Sequence, residues 1–153
     1  MFTRILTGID ATPDSVAVLA HAIRLARHQK ATLLAVSVLM HVPDTLGLGP
    51  GFGDPVRIAQ TLKDRAQVAL ARAQDLFILA GVDGHTLIVE AGDRDVASVL
   101  LEEGHRWRAD LMVLGNHPRH GIERALLGST TESCLRAADI PILVVPPDHP
   151  ASG

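Results

Sequence analysis

Four short apolar runs rich in β-branched residues constrain this chain most: 4–10 (RILTGID), 31–38 (ATLLAVSV), 110–115 (DLMVLG) and 141–145 (PILVV). They are continuous rather than alternating, the pattern of strands covered on both faces. A fifth run, 85–90 (HTLIVE), is shorter. Helical spacing separates them. Val16, Leu19, Ala20, Ile23 and Ala26 fall on one stripe, with Thr12 as N-cap and Pro13 at the first helical position. Ala59, Leu62, Ala66, Leu70, Ala73 and Leu76, with Ala69, mark a second helix that stops at Gly81, a C′ glycine. A third runs from an Asp93 N-cap through Val96, Val99 and Leu100 toward Trp107, and a fourth from Ser129 to near Ala138. This alternation predicts βαβ units, hence an α/β fold with a parallel sheet and helices on both faces.

At 153 residues the chain suits one domain, expected over 1–147 with a frayed tail at 148–153. A net charge of −3 gives no basic footprint for nucleic acid or an anionic membrane. With three Phe, one Trp and no Tyr, base-stacking surfaces are not expected either. The longest apolar run, near 31–40, is far short of the ~20 residues that span a bilayer. One cysteine, Cys134, and no signal-peptide pattern point to a soluble cytoplasmic domain. The Gly/Pro-rich stretch 43–55 is expected to form a flexible lid without fixed contacts.

A parallel sheet places ligands beyond the carboxyl ends of its strands. No Gly-Lys pair exists, so there is no Walker A loop, and neither GIDATPDS (8–15) nor GLGPGFG (47–53) has dinucleotide spacing. The stretch 113–132 (VLGNHPRHGIERALLGSTTE) differs, because Gly115 ends a strand and Gly128-Ser129 opens a helix. Glycines admit close backbone approach, and a helix N-terminus welcomes an anion. Ser129 and Glu132 also read as a capping box, which is compatible with a ligand since a cap uses only some of the donors.

The pattern Gly115-x2-Pro118-x9-Gly128-Ser129 resembles the G-x2-G-x9-G-[ST] phosphate loop of the universal stress proteins. RILTGIDATPDS, AGDRDVASVLLEEGHRWRADLMVLGNH and LLGSTTESCLRAADIPILVVP extend the likeness over nearly the whole chain. It implies a Rossmann-like, adenine-nucleotide α-hydrolase-like sheet of five parallel strands in the order 3-2-1-4-5. In nucleotide-binding members it implies ATP. Carried over, Gly8 and Asp10 would lie near the adenosine end, and the Val38 backbone would read adenine. Gly115, Asn116, His117, Arg119 and Gly121 would line the ribose-to-phosphate path, while Gly128, Ser129 and Thr130 would hold phosphate oxygens. The chain departs from the family at Pro118, which has no N–H and a fixed φ. A hydrogen bond to a charged group contributes about 1.5–3 kcal/mol, so the lost donor lowers affinity roughly ten- to a hundredfold. Arg119, His120 and Arg124 stand nearby to offset it.

Other residues read more plainly. His117 and His120, with Glu123 the near carboxylate, are loop histidines rather than a metal pair. Asp10 is expected to position rather than to exchange protons, Cys134 to fill core, and Trp107 to pack the third helix. The edge run 141–145 invites pairing with a second chain, and the resemblance also implies a two-fold dimer. The chain is read as an ATP-binding stress-response module, with Mg2+ on the phosphates and no base constellation for fast hydrolysis. A homodimer working through protein partners without nucleotide, or a slow ATPase, are the alternatives.

Overall fold

The computed structural model describes residues 1–44, 53–116 and 127–147. Strand β1 (Arg4–Gly8) leads to α1 (Asp14–Gln29), β2 (Thr32–Leu39), α2 (Pro55–Ala80) and β3 (Gly84–Glu90). Helix α3 (Val96–Trp107), β4 (Leu111–Gly115), α4 (Ser129–Ala137) and β5 (Ile142–Val145) complete the chain. All strand pairs are parallel, in the order β3-β2-β1-β4-β5. The strand runs, the sheet order and the edge position of β5 agree with the sequence reading.

Consecutive strand residues serve opposite faces. Ile5, Leu33, Leu111 and Val113 join α1 and α2 in one buried cluster, where Phe77 is fully enclosed. Leu6, Leu34, Met112 and Leu114 join α3 and α4 in the other, with Leu100 and Cys134. Burying a side chain such as Phe77 contributes roughly 1.5–3 kcal/mol. Its bed requires glycine at 84, because a Cβ there would lie 2.1 Å from Phe77 Cδ2. At the opposite end from the cleft, the Asp110 carboxylate accepts from the Thr3 and Arg4 amides at 2.8 and 2.9 Å, pinning the start of β1.

Five local expectations are corrected. The α1 face that meets the sheet is Val18, Leu19, Ala22, Ile23 and Ala26, so Leu19, Ile23 and Ala26 are as expected, while Val16 is 64% exposed and Ala20 also faces outward. Small residues at 22 and 26 let the helix sit close, which apolar spacing alone does not weigh. Pro13 rather than Thr12 is the residue before α1, and the Thr12 side chain turns to Asp10 instead. On α2 only Ala66, Leu70, Ala73 and Phe77 are buried, so Ala59, Leu62 and Leu76 lie outside the core. Helix α3 is capped by Asp95, which accepts from the Ser98 amide at 2.7 Å, and not by Asp93. Finally, the cap of α4 is Gly128, so Ser129 and Glu132 form no capping box, and the Glu132 carboxylate pairs with Arg136 at 2.6 Å. The Gly81 C′ glycine is as expected, at φ +67°.

Candidate functional site

The connections of β1 and β4 leave on opposite faces, toward α1 and α4, and the gap between their carboxyl ends is the topological switch point. The last ladder bond of β1 runs from the Ile9 amide to the Val36 carbonyl at 2.9 Å. Beyond it the chain turns away and a cleft of about 190 Å³ opens. It brings together Gly8, Asp10, Val38, Gly115 and Thr130 from the sequence-derived set. Leu100 and Leu114 supply apolar walls. The volume is below the ~300–1,000 Å³ of sites for drug-sized ligands, so it seats a ring system rather than a whole nucleotide.

Two features give this cleft its chemistry. Gly8 keeps it open on one side, since a Cβ there would stand 3.0 Å from Leu100 Cδ1 and 3.4 Å from Leu114 Cδ2. Along β2, backbone groups alternate in direction. The Val36 carbonyl accepts from Ile9 on the β1 side, and the Leu39 carbonyl accepts from Ala91 on the β3 side. Val38, two residues after Val36, therefore presents its N–H and C=O toward the β1 side, past the point where β1 has left.

Asp10 is exposed and anchors the β1–α1 turn. Its Oδ1 accepts from the Thr12 amide at 2.9 Å, the Thr12 hydroxyl, and the Ser15 hydroxyl at 2.6 Å. Ser15 Oγ in turn accepts from the Asp10 amide at 2.8 Å. On the far wall Asn116 Oδ1 accepts from the Gly128 amide at 3.0 Å, joining the end of β4 to the start of α4. That amide is thereby committed, and the first-turn amides of Thr130 and Thr131 have no intrahelical acceptor. Ser129 is the first residue of α4. His117, Arg119 and Gly121, together with Pro118, lie outside the described residues.

Sequence reasoning missed Ser15 and Thr131, both buried. The Thr131 hydroxyl donates to the Gly115 carbonyl at 2.8 Å and fixes α4 against β4. The signal was weak: three hydroxyl residues open α4, and only packing selects the inward one. Cys134 is core, as expected, and burial first, with Asp95 adding, pushes its thiol up to about 11, so it is protonated and unreactive at neutral pH. Trp107 packs beneath the Arg4 guanidinium, 4.5 Å from the ring centroid. Among the described residues, no three His, Cys, Asp or Glu side chains gather as a metal site, and no helix is long and apolar enough to cross a membrane.

A five-stranded parallel sheet with a switch-point cleft that carries a backbone edge and a helix N-terminus defines an open, doubly wound α/β module. Comparison with known proteins makes this particular. The family model for the universal stress protein family matches residues 1–146, and the chain belongs to that family. A universal stress protein of Methanocaldococcus jannaschii is 32% identical over 145 residues, spanning 95% of this chain and 82% of the relative. Universal stress protein A homolog 1 of Coxiella burnetii is 30% identical over 94% of this chain and 96% of its own length. A family structure from Burkholderia pseudomallei superposes with a TM-score of 0.76 at 28% identity, covering 94% and 96% of the two chains. Universal stress proteins solved with cAMP, with dAMP (Archaeoglobus fulgidus) and with AMP (Arabidopsis thaliana) share the fold at TM-scores of 0.64, 0.64 and 0.69. Their identities are 22%, 18% and 16%, and each match covers at least 93% of either chain.

Proposed function

We propose that this chain is an adenine-nucleotide-binding stress-response module whose cleft lies between the ends of β1 and β4. The observation that carries the reading is the Val38 backbone edge, a donor beside an acceptor, facing a cleft kept open by Gly8. A purine ring with a ring-nitrogen acceptor next to an exocyclic amine is the complement of that edge. The phosphates would run toward the first turn of α4, where amides and the dipole favour negative charge. The universal stress proteins solved with cAMP, dAMP and AMP support an adenine ligand. We favour ATP, with Mg2+ carried by the phosphates, bound in the cytoplasm rather than turned over. Assembly is read as a homodimer through residues 141–145, where β5 is an edge strand and Leu143 is 41% exposed.

The deciding experiment is mass spectrometry of nucleotide released by acid from fresh protein, paired with calorimetric titration of ATP, ADP, AMP and cAMP, with and without Mg2+. Co-purified adenine nucleotide, or micromolar binding that Gly8→Val abolishes, supports the reading. A protein that ignores millimolar nucleotide sinks it and leaves the homodimer acting through protein partners, with Pro118 as the chemical reason.

A further inference from the structure

A larger depression, about 640 Å³, lies on the other side of the β1–α1 turn, between α1 and α2. Val16 of α1 and Val68 and Leu76 of α2 line it, and Arg65 and Arg72 stand along it. At Leu76 it meets a second hollow of about 640 Å³, lined by Ala20, Arg24 and Leu79. From Arg65 to Leu79 the joined trough is about 21 Å long at 1.5 Å per residue, close to four helical turns.

Its surface is apolar where a solvated face would be polar. Val16 is 64% exposed, Val68 54%, Leu76 40% and Leu79 83%. These include residues that helical spacing alone assigns to the core, yet the sheet-facing side of both helices is filled by other side chains. The trough carries a net positive charge, with the guanidiniums of Arg24, Arg65 and Arg72 against the carboxylates of Asp10 and Asp64. Arg24, Arg65 and Arg72 form no ion pair among the described residues. The two carboxylates that line it are already engaged, Asp64 by Gln60 Nε2 at 2.8 Å and Asp10 by Thr12 and Ser15.

We propose that the α1–α2 trough docks an amphipathic helix of a partner protein, apolar on one face and flanked by carboxylates. Length and exposed apolar side chains suit a helix laid in a groove, which anchors at i, i+3 or i+4, and i+7. The unpaired guanidiniums select acidic flanks. A second copy of this chain is disfavoured as occupant, because a two-fold contact sets two faces of net positive charge against each other.

The test uses the full chain as bait in a display selection of helical peptides roughly 16 residues long, four to five turns. The best peptide is then titrated by fluorescence anisotropy against wild type, Val68→Asp and the Arg65→Glu/Arg72→Glu double variant. All three substitutions are at exposed positions, and circular dichroism checks each fold. Selected peptides should place Leu, Ile or Met at helical spacing between Glu or Asp. Val68→Asp and the double variant should each weaken binding tenfold or more, and a peptide with its acids changed to Lys should recover affinity for the double variant. Basic or non-helical winners, no enrichment, or binding indifferent to these changes would overturn the proposal. So would sedimentation showing that Val68→Asp splits a homo-oligomer, since the trough would then belong to self-assembly.

Discussion

The starts of α1 and α4 flank the same cleft, and neither helix has a side-chain cap; they differ in the turn that precedes them. At α1 the Asp10 carboxylate gathers the Thr12 amide and the Thr12 and Ser15 hydroxyls, and Ser15 is buried in the turn. Helices α2 and α3 are capped directly, with Asp54 accepting from the Val56 amide and Asp95 from the Ser98 amide. Helix α4 begins at Gly128, which brings no side chain and gives its own amide to Asn116. A carboxylate at a helix start satisfies donors and offsets the positive dipole end, so an anion gains little there. A glycine start leaves that end for charge from elsewhere. Asp54 and Asp95 close the starts of their helices, the Asp10 carboxylate is engaged in the turn before α1, and the uncapped glycine start of α4 stands beside the cleft.

Filling the cleft is the severest way to challenge this contrast. Gly8→Val should abolish measurable adenine-nucleotide binding, a loss of a hundredfold or more by calorimetry. Overpacking against Leu100 should also cost about 1–3 kcal/mol in urea unfolding. Unaltered affinity would show that the nucleotide lies elsewhere. Gly128→Asp makes α4 start like α2 and α3, and the extended backbone there (φ −60°, ψ 150°) admits the change. Stability should rise by up to about 1 kcal/mol while phosphate-bearing ligands bind roughly tenfold more weakly. If stability and affinity fell together, Gly128 would be a structural terminus after all. Asp10→Ala removes the acceptor that holds the turn before α1 and should cost about 1 kcal/mol. Glu132→Ala, which deletes only the exposed pair with Arg136, should cost about 0.3–0.5 kcal/mol. Equal losses would erase the distinction between a carboxylate that holds a turn and one in a surface pair.

The smallest effect is in acid. The Ser98 amide and hydroxyl hold Asp95 below its ordinary value. Burial raises Asp110, but hydrogen bonds from Arg4 and Thr3 outweigh it, leaving that carboxyl lowered too. Folded values below the unfolded ones mean that their stabilisation is complete above the ordinary carboxylate range and is lost as pH falls through the folded values. Thermal midpoints should therefore drop below about pH 4, close to the unfolded carboxylate pKa, and stay flat near neutrality with respect to these groups. Asp110→Asn should make the acid limb shallower, and an unchanged limb would remove Asp110 from this account.

Much of the architecture was legible because two-sided strands must be apolar at every position, and four such runs between helical spacings leave few α/β solutions. Gly81 was legible because a left-handed C′ residue is cheapest as glycine. The helix phases were harder to read. Helix α1 has apolar residues on more than one side, and only contact with the sheet selects Val18 and Ala22 over Val16 and Ala20. Asp93 and Asp95 both suit a cap. The choice follows from the turn at 91–94, where Arg94 Nε and Nη2 each reach a carbonyl at 3.0 Å, on Ala91 and Glu90.

By itself, then, the sequence determined the strand runs, the family likeness and the residue types that line the cleft. Each of these depends on short-range pattern or on chemistry carried by single residues. Tertiary structure alone decided which donors remain for a ligand, that Ser15 and Thr131 are buried braces, and that apolar residues of α1 and α2 line an outward trough. Those outcomes depend on which element lies against which, and on backbone groups whose partners are distant in the chain: Val38 faces the cleft only because β1 ends beside it.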